Sequence, residues 1–165
     1  MSTADGAASG RPARAFRHGQ TILHSLLHPA HRRLLRQTIA LSARLPALFD
    51  LPLPEMMARL TPTQTDLPLP PDDIRRLADA VAAWHFWSPL GICLRRSLLR
   101  YVLLRRAGLP VQIVFGARLK TPTEGGGLGG HAWLVLQGQP YHEDPANYTA
   151  FVEMYRYPPD PKCAA

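Results

Sequence analysis

Around Gly108 and Pro110 the spacing of apolar residues changes from the helical period to the alternating one, and no other feature limits the fold of this 165-residue chain as much. Before the change, Leu94, Leu98, Tyr101 and Val102 recur at three- and four-residue steps, which makes one apolar stripe on a helix from about Cys93 to Ala107. After it, Val111, Ile113, Phe115, Ala117 and Leu119 occupy every second position, the pattern of a strand. Gly108 and Pro110 stop the helix between the two regimes. The next apolar run, His131 to Gln137, is a second strand, and Pro140 to Asp144 a third, joined by a tight turn at Gly138. Helices followed by a small antiparallel sheet indicate an α+β domain.

The upstream half is helical in the same sense. Ile22, Leu23, Leu26 and Leu27, then Leu34, Leu35, Ile39, Leu41, Leu45 and Leu48, keep helical spacing, and Pro29 either divides this stretch or starts its second helix. Residues 49–71 form a proline-rich connector with room for one short helix around Pro54 to Leu60. Pro71-Asp72-Asp73 opens a helix through Trp84, with its acids where the macrodipole favours them. The expected organisation is a disordered lead over 1–20, a helical and proline-rich segment over 21–70, and a core over 71–165. With 46% apolar residues the chain can bury one core.

Several function classes are disfavoured by composition. The net charge is +7, carried almost wholly by arginine, but the basic residues are scattered along the helices without the aromatic interleaving of a nucleic-acid surface. The lead lacks an apolar signal core, and no window of about 18 residues is free of charge and proline, so no membrane span is expected. Two cysteines, Cys93 and Cys163, make no disulfide framework, which fits a reducing cytoplasm. His24, His28 and His31 have the i, i+4, i+7 spacing of a helix face, but Pro29 interrupts them and no acid completes a set, so no metal is expected there. Cys163, near the end of the sequence, reads as part of an exposed tail.

The residues with chemistry to offer are Cys93 and the run Gly130-His131-Ala132-Trp133. A cysteine at a helix start, with Arg95 and Arg96 near it, is biased toward thiolate. If Ser88 rather than a later residue caps the helix, Cys93 lies a turn further in and the dipole helps less. His131 enters its strand from the glycine-rich stretch Lys120 to Gly130, where the backbone can approach a substrate and the imidazole can face a cleft. Trp133 lies on the same strand face and His142 lies on it across the hairpin, so both are candidate substrate contacts. Hairpin parity supplies the orienting acid: either two-residue turn at Gly138 brings Asp144 onto the His131 face, whereas a three-residue loop brings Glu143 instead. Asp144 is the favoured member of that pair, with Glu143 the alternate.

Taken in order, these motifs resemble the transglutaminase-like core of the papain-type cysteine proteases. Cys93-Leu94-Arg95-Arg96-Ser97-Leu98, Leu103-Leu104-Arg105-Arg106-Ala107-Gly108-Leu109-Pro110 and Gly130-His131-Ala132-Trp133 resemble, more narrowly, the leader-peptidase part of the lasso peptide biosynthesis B proteins. The resemblance implies Cys93 as nucleophile, His131 as base, and as third member an acid falling on Glu143-Asp144. It also implies cleavage of a ribosomally made precursor peptide after its leader, with no cofactor, before an asparagine-synthetase-like cyclase closes the core. Residues 1–70 lack the strand-rich recognition domain that some members carry, so a separate leader-recognition protein is the expected partner.

Overall fold

A computed structural model describes residues 10–84 and 88–159, with side chains from residue 16 onward. Five helices precede the sheet: α1 Gly10–Leu27, α2 Pro29–Leu48, α3 Leu53–Leu60, α4 Pro71–Trp84 and α5 Ile92–Arg106. Pro29 ends one helix and occupies the first turn of the next, where its missing N–H costs nothing; His28 before it is extended (φ −110°, ψ 129°). The lead expected to be disordered over 1–20 is helical from Gly10, because a helix nucleated by the later apolar turns propagates through residues such as Ala and Arg at little cost. Residues 1–9 and Cys163 lie outside the described residues.

The main core is one cluster. Leu34 and Leu45 of α2, Met56 and Met57 of α3, Ile74 and Leu77 of α4, and Leu98 to Leu104 of α5 pack together on Ile113 and Leu134 of the sheet. Helix α5 is the centre of this arrangement, and every residue from Ser97 to Leu104 is buried. Arg95 and Arg100, which lie outside the apolar stripe, are buried as well; Arg100 is neutralised by Asp79 of α4 at 2.6 Å through both Nε and Nη2. Helix α5 ends at Arg106 with Ala107 as its C-cap, after which Gly108 takes φ +87°.

The sheet has four strands in the order β3-β2-β1-β4, antiparallel throughout: β1 Gln112–Leu119, β2 Leu128–Leu136, β3 Gln139–Pro140 and β4 Val152–Tyr157. Strand β2 begins three residues earlier than its apolar run, so His131 lies within the strand, opposite Gly116, and not at its mouth. Gln137 and Gly138 form the two-residue turn with φ 52° and 78°, the two positive values of a type I′ turn. The third strand, expected through Asp144, stops at Pro140; its last ladder bond is Tyr141 N–H to Leu134 C=O at 2.8 Å. A short helix, α6 Pro145–Tyr148, follows. Edge strand β4 carries no alternation in sequence, since Val152, Glu153 and Met154 are all exposed. Among the described residues no helix is long and apolar enough to cross a membrane.

Candidate active site

The early end of β3 decides how the site is built. Because β3 covers only Val135 and Leu136, the outer edge of β2 beside His131 is open to another element, and the first turns of α5 take it. Ser97, one turn into α5, donates its hydroxyl to the Ala132 carbonyl at 2.7 Å, and the Ala132 N–H donates to the Cys93 sulfur. A third strand running to Asp144 would have claimed that edge for backbone pairing.

Gly91 caps α5, so Cys93 lies in its first turn and not a turn further in. Its thiol hydrogen-bonds with the His131 imidazole, and this contact, aided by donation from the Leu94 and Ala132 N–H groups, outweighs burial and holds the thiol below its ordinary value. Arg95 and Arg96, singled out from the sequence, are not among the leading causes of that shift. His131 is pushed up to about 9, first by Cys93 and then by Glu143, against the opposing effect of burial. Lowered thiol and raised imidazole describe a site biased toward the thiolate–imidazolium pair, titrating as a coupled unit.

The acid beside His131 is Glu143. Its Oε1 lies 3.4 Å from His131 Nε2, and its side chain is 1% exposed against 10% for the imidazole. Nε2 forms no regular hydrogen bond at this distance, so the contact is an ion-pair approach. Burial works to raise the Glu143 carboxyl, but His131, Arg96 and Asn147 together hold it below its ordinary value. Arg96 Nη2 reaches both carboxylate oxygens at 2.7 and 3.0 Å, and Asn147 Nδ2 donates to Oε1 at 2.9 Å.

Asp144, favoured by parity, is not beside the imidazole. It caps α6, accepting from the Ala146 N–H at 3.0 Å, and is exposed. The predicted turn type was correct, with Leu136 opposite Gln139. Extrapolating its register to residue 144 fails because His142, at φ 49°, leaves the extended backbone and rotates the next side chain inward. His142 itself turns away from His131 toward α4, 3.8 Å from Asp72; burial and then Arg75 hold its imidazole below the ordinary value. Trp133 is buried rather than presented to substrate: it stacks on His131 (centroids 5.9 Å apart, 18° between planes) and on Tyr148 (5.8 Å, 28°), with Phe151 5.3 Å from the imidazole. These rings form a rigid wall for His131. Gly116 is part of the same device, since no side chain fits between its Cα and the Trp133 ring.

Sequence reading overlooked Arg96 and Asn147 as holders of the acid. A signal existed for both: Arg96 is one helical turn from Cys93, and Asn147 is four residues from Glu143. The three histidines of α1 and α2 do converge, with ring centroids 4.9 to 5.9 Å apart despite Pro29. Among the described residues, however, no group of three or more His, Cys, Asp or Glu is arranged to hold a metal ion. A cavity of about 620 Å³ between α1 and α4, lined by Arg17, His24, His31, Asp73 and Arg76 among others, lies apart from Cys93.

Comparison with family profiles matches Transglutaminase-like superfamily over residues 38–156, well over half of the chain, from within α2 to β4. No curated protein and no solved structure matches.

Proposed function

The chain belongs to the transglutaminase-like superfamily, and from that premise we propose that it is a cysteine peptidase that removes the leader from a ribosomally synthesised lasso precursor peptide before the core is cyclised. The observation that carries this reading is the contact of the Cys93 thiol with the His131 imidazole at the first turn of α5, with the buried Glu143 carboxylate on the far side of the ring. The narrower lasso assignment rests on the three motifs around Cys93, Gly108 and His131, and on the substrate class they imply.

In this mechanism the Cys93 thiolate attacks the carbonyl carbon at the leader–core junction and a C–S bond forms. Helix geometry leaves the Cys93 backbone N–H without an intrahelical acceptor, so it is free to donate to the developing oxyanion. His131, as imidazolium, gives its proton to the leaving amine as the C–N bond breaks, which frees the core and leaves the leader as a thioester. Neutral His131 then takes a proton from water, the hydroxide adds to the thioester, and the C–S bond breaks to return the thiolate. Glu143 fixes which imidazole nitrogen faces the sulfur and balances the imidazolium. The partners are the precursor leader, a separate leader-recognition protein and an asparagine-synthetase-like cyclase.

The test uses a matched lasso precursor together with its leader-recognition protein. Intact-mass analysis should show two products whose masses together equal the precursor plus one water. Added primary amine should not displace water as acceptor; an amine adduct on the leader would instead identify a transamidase, and an unaltered precursor would identify a non-catalytic scaffold.

A further inference from the structure

We propose that Arg96 is a positioning residue for the catalytic imidazole, holding the Glu143 carboxylate against His131 from the same helix that presents Cys93. The inference rests on the Cys93–His131–Glu143 reading above.

Glu143 needs such a holder because the sheet does not provide one. Strand β3 ends at Pro140, and His142 lies in the left-handed region, so backbone pairing does not fix residues 142 and 143. What meets them is side chains of α5: Arg100 Nη1 reaches the His142 carbonyl at 3.4 Å, and Arg96 Nη2 reaches both oxygens of Glu143 at 2.7 and 3.0 Å. Cys93 and Arg96 are three residues apart on α5 and therefore share a face. One rigid helix thus sets the sulfur and the acid, and His131 of β2 lies between them.

The chemistry points the same way. A carboxylate 1% exposed is costly unless a cation meets it, and Arg96 is the cation whose nitrogen lies nearest to it. Without Arg96, burial favours the protonated carboxyl or drives the side chain out of its place, and either outcome takes the negative charge from His131. The hydrogen bonds of Arg96 go to the Glu143 carboxylate, so its influence on the imidazole passes through Glu143. If the pair merely held the loop in place, its removal would lower stability and leave the thiol unchanged.

The experiment is the rate of Cys93 alkylation by iodoacetamide as a function of pH on the full chain, read by mass on the Cys93 peptide so that Cys163 does not contribute. It needs no precursor. Wild type should react at pH values below the range of an ordinary thiol. Arg96→Gln and Glu143→Gln should each move the acid limb upward, and a shift of half a pH unit is about a threefold loss of thiolate on that limb. The double variant should shift no further than Glu143→Gln alone. An unmoved limb in Arg96→Gln, or additive shifts in the double variant, overturns the role of Arg96. A wild-type limb in the ordinary thiol range instead overturns the site reading, and the role of Arg96 with it. If Arg96→Gln does not fold, Arg96→Met, which keeps the apolar stem and removes the charge, takes its place with melting measured alongside: the same upward shift supports the proposal, and an unmoved limb overturns it.

Discussion

Replacing Gly116 by alanine tests whether the wall behind His131 is as rigid as its geometry implies. The added Cβ would lie 2.7 Å from Cζ3 and 2.8 Å from Cη2 of Trp133, and 3.1 Å from Cβ of Phe151. The indole is 6% exposed and stacked on Tyr148, so it has no open side to swing toward. Overpacking of this kind costs about 1–3 kcal/mol, and two contacts with a rigid ring belong in the upper part of that range. Relief of the backbone entropy of a strand glycine returns about 0.5–1 kcal/mol. The net destabilisation is therefore about 1–2 kcal/mol, or roughly 2–8 °C in Tm for a chain of this size. Thermal unfolding followed by circular dichroism measures it. Because Trp133 stacks on His131, the displaced ring should also move the imidazole and slow alkylation of Cys93. A melting temperature equal to or above wild type would refute the reasoning, because it would mean that the wall yields freely.

Other consequences follow from the same contacts. The pH profile of leader cleavage should rise below the ordinary thiol range as Cys93 ionises, and fall as His131 loses its proton near about pH 9; a rate still climbing beyond pH 10 would contradict it. Since the folded imidazole is raised above 6.5, the stability it contributes is fully present below pH 6.5 and is lost as pH rises through about 9, which unfolding midpoints across that window will show. Asp144→Ala removes a helix cap worth about 1 kcal/mol and should leave the alkylation profile of Cys93 unchanged, as a combined melting and alkylation assay will report. Arg100→Met leaves Asp79 without its closest counter-charge and should cost about 3–5 kcal/mol in urea unfolding, because breaking one side of a buried pair strands the other.

How much was legible in the sequence depends on how local the cause was. Helices α4 and α5, strands β1 and β2, and the Gln137-Gly138 turn rest on local signals, which are apolar period, first-turn acids and a Gly–Pro stop. Cys93 and His131 were legible for the same reason, each lying at a helix start or at the front of an apolar run. Strand β4 was not, because as an edge strand with Val152, Glu153 and Met154 exposed it carries no alternation, and only β1 makes it a strand. Nor was the choice of Glu143 over Asp144. It depends on one left-handed residue, His142, and on α5 occupying the open edge of β2, and neither is written in the hairpin itself. The burial of Arg95 and Arg100 was hidden likewise: a helix at the centre of a cluster buries its polar face too, and Asp79, Arg100's partner, lies 21 residues away.

The central claim is that Cys93 is the nucleophile of a peptidase. The most direct measurement is the rate at which a Cys93→Ala variant, of wild-type melting behaviour, releases the leader from the matched precursor in the presence of the recognition protein. Loss of the covalent route should reduce that rate by at least about a thousandfold. Cleavage at an undiminished rate would contradict the account, because the chemistry would then lie with another group.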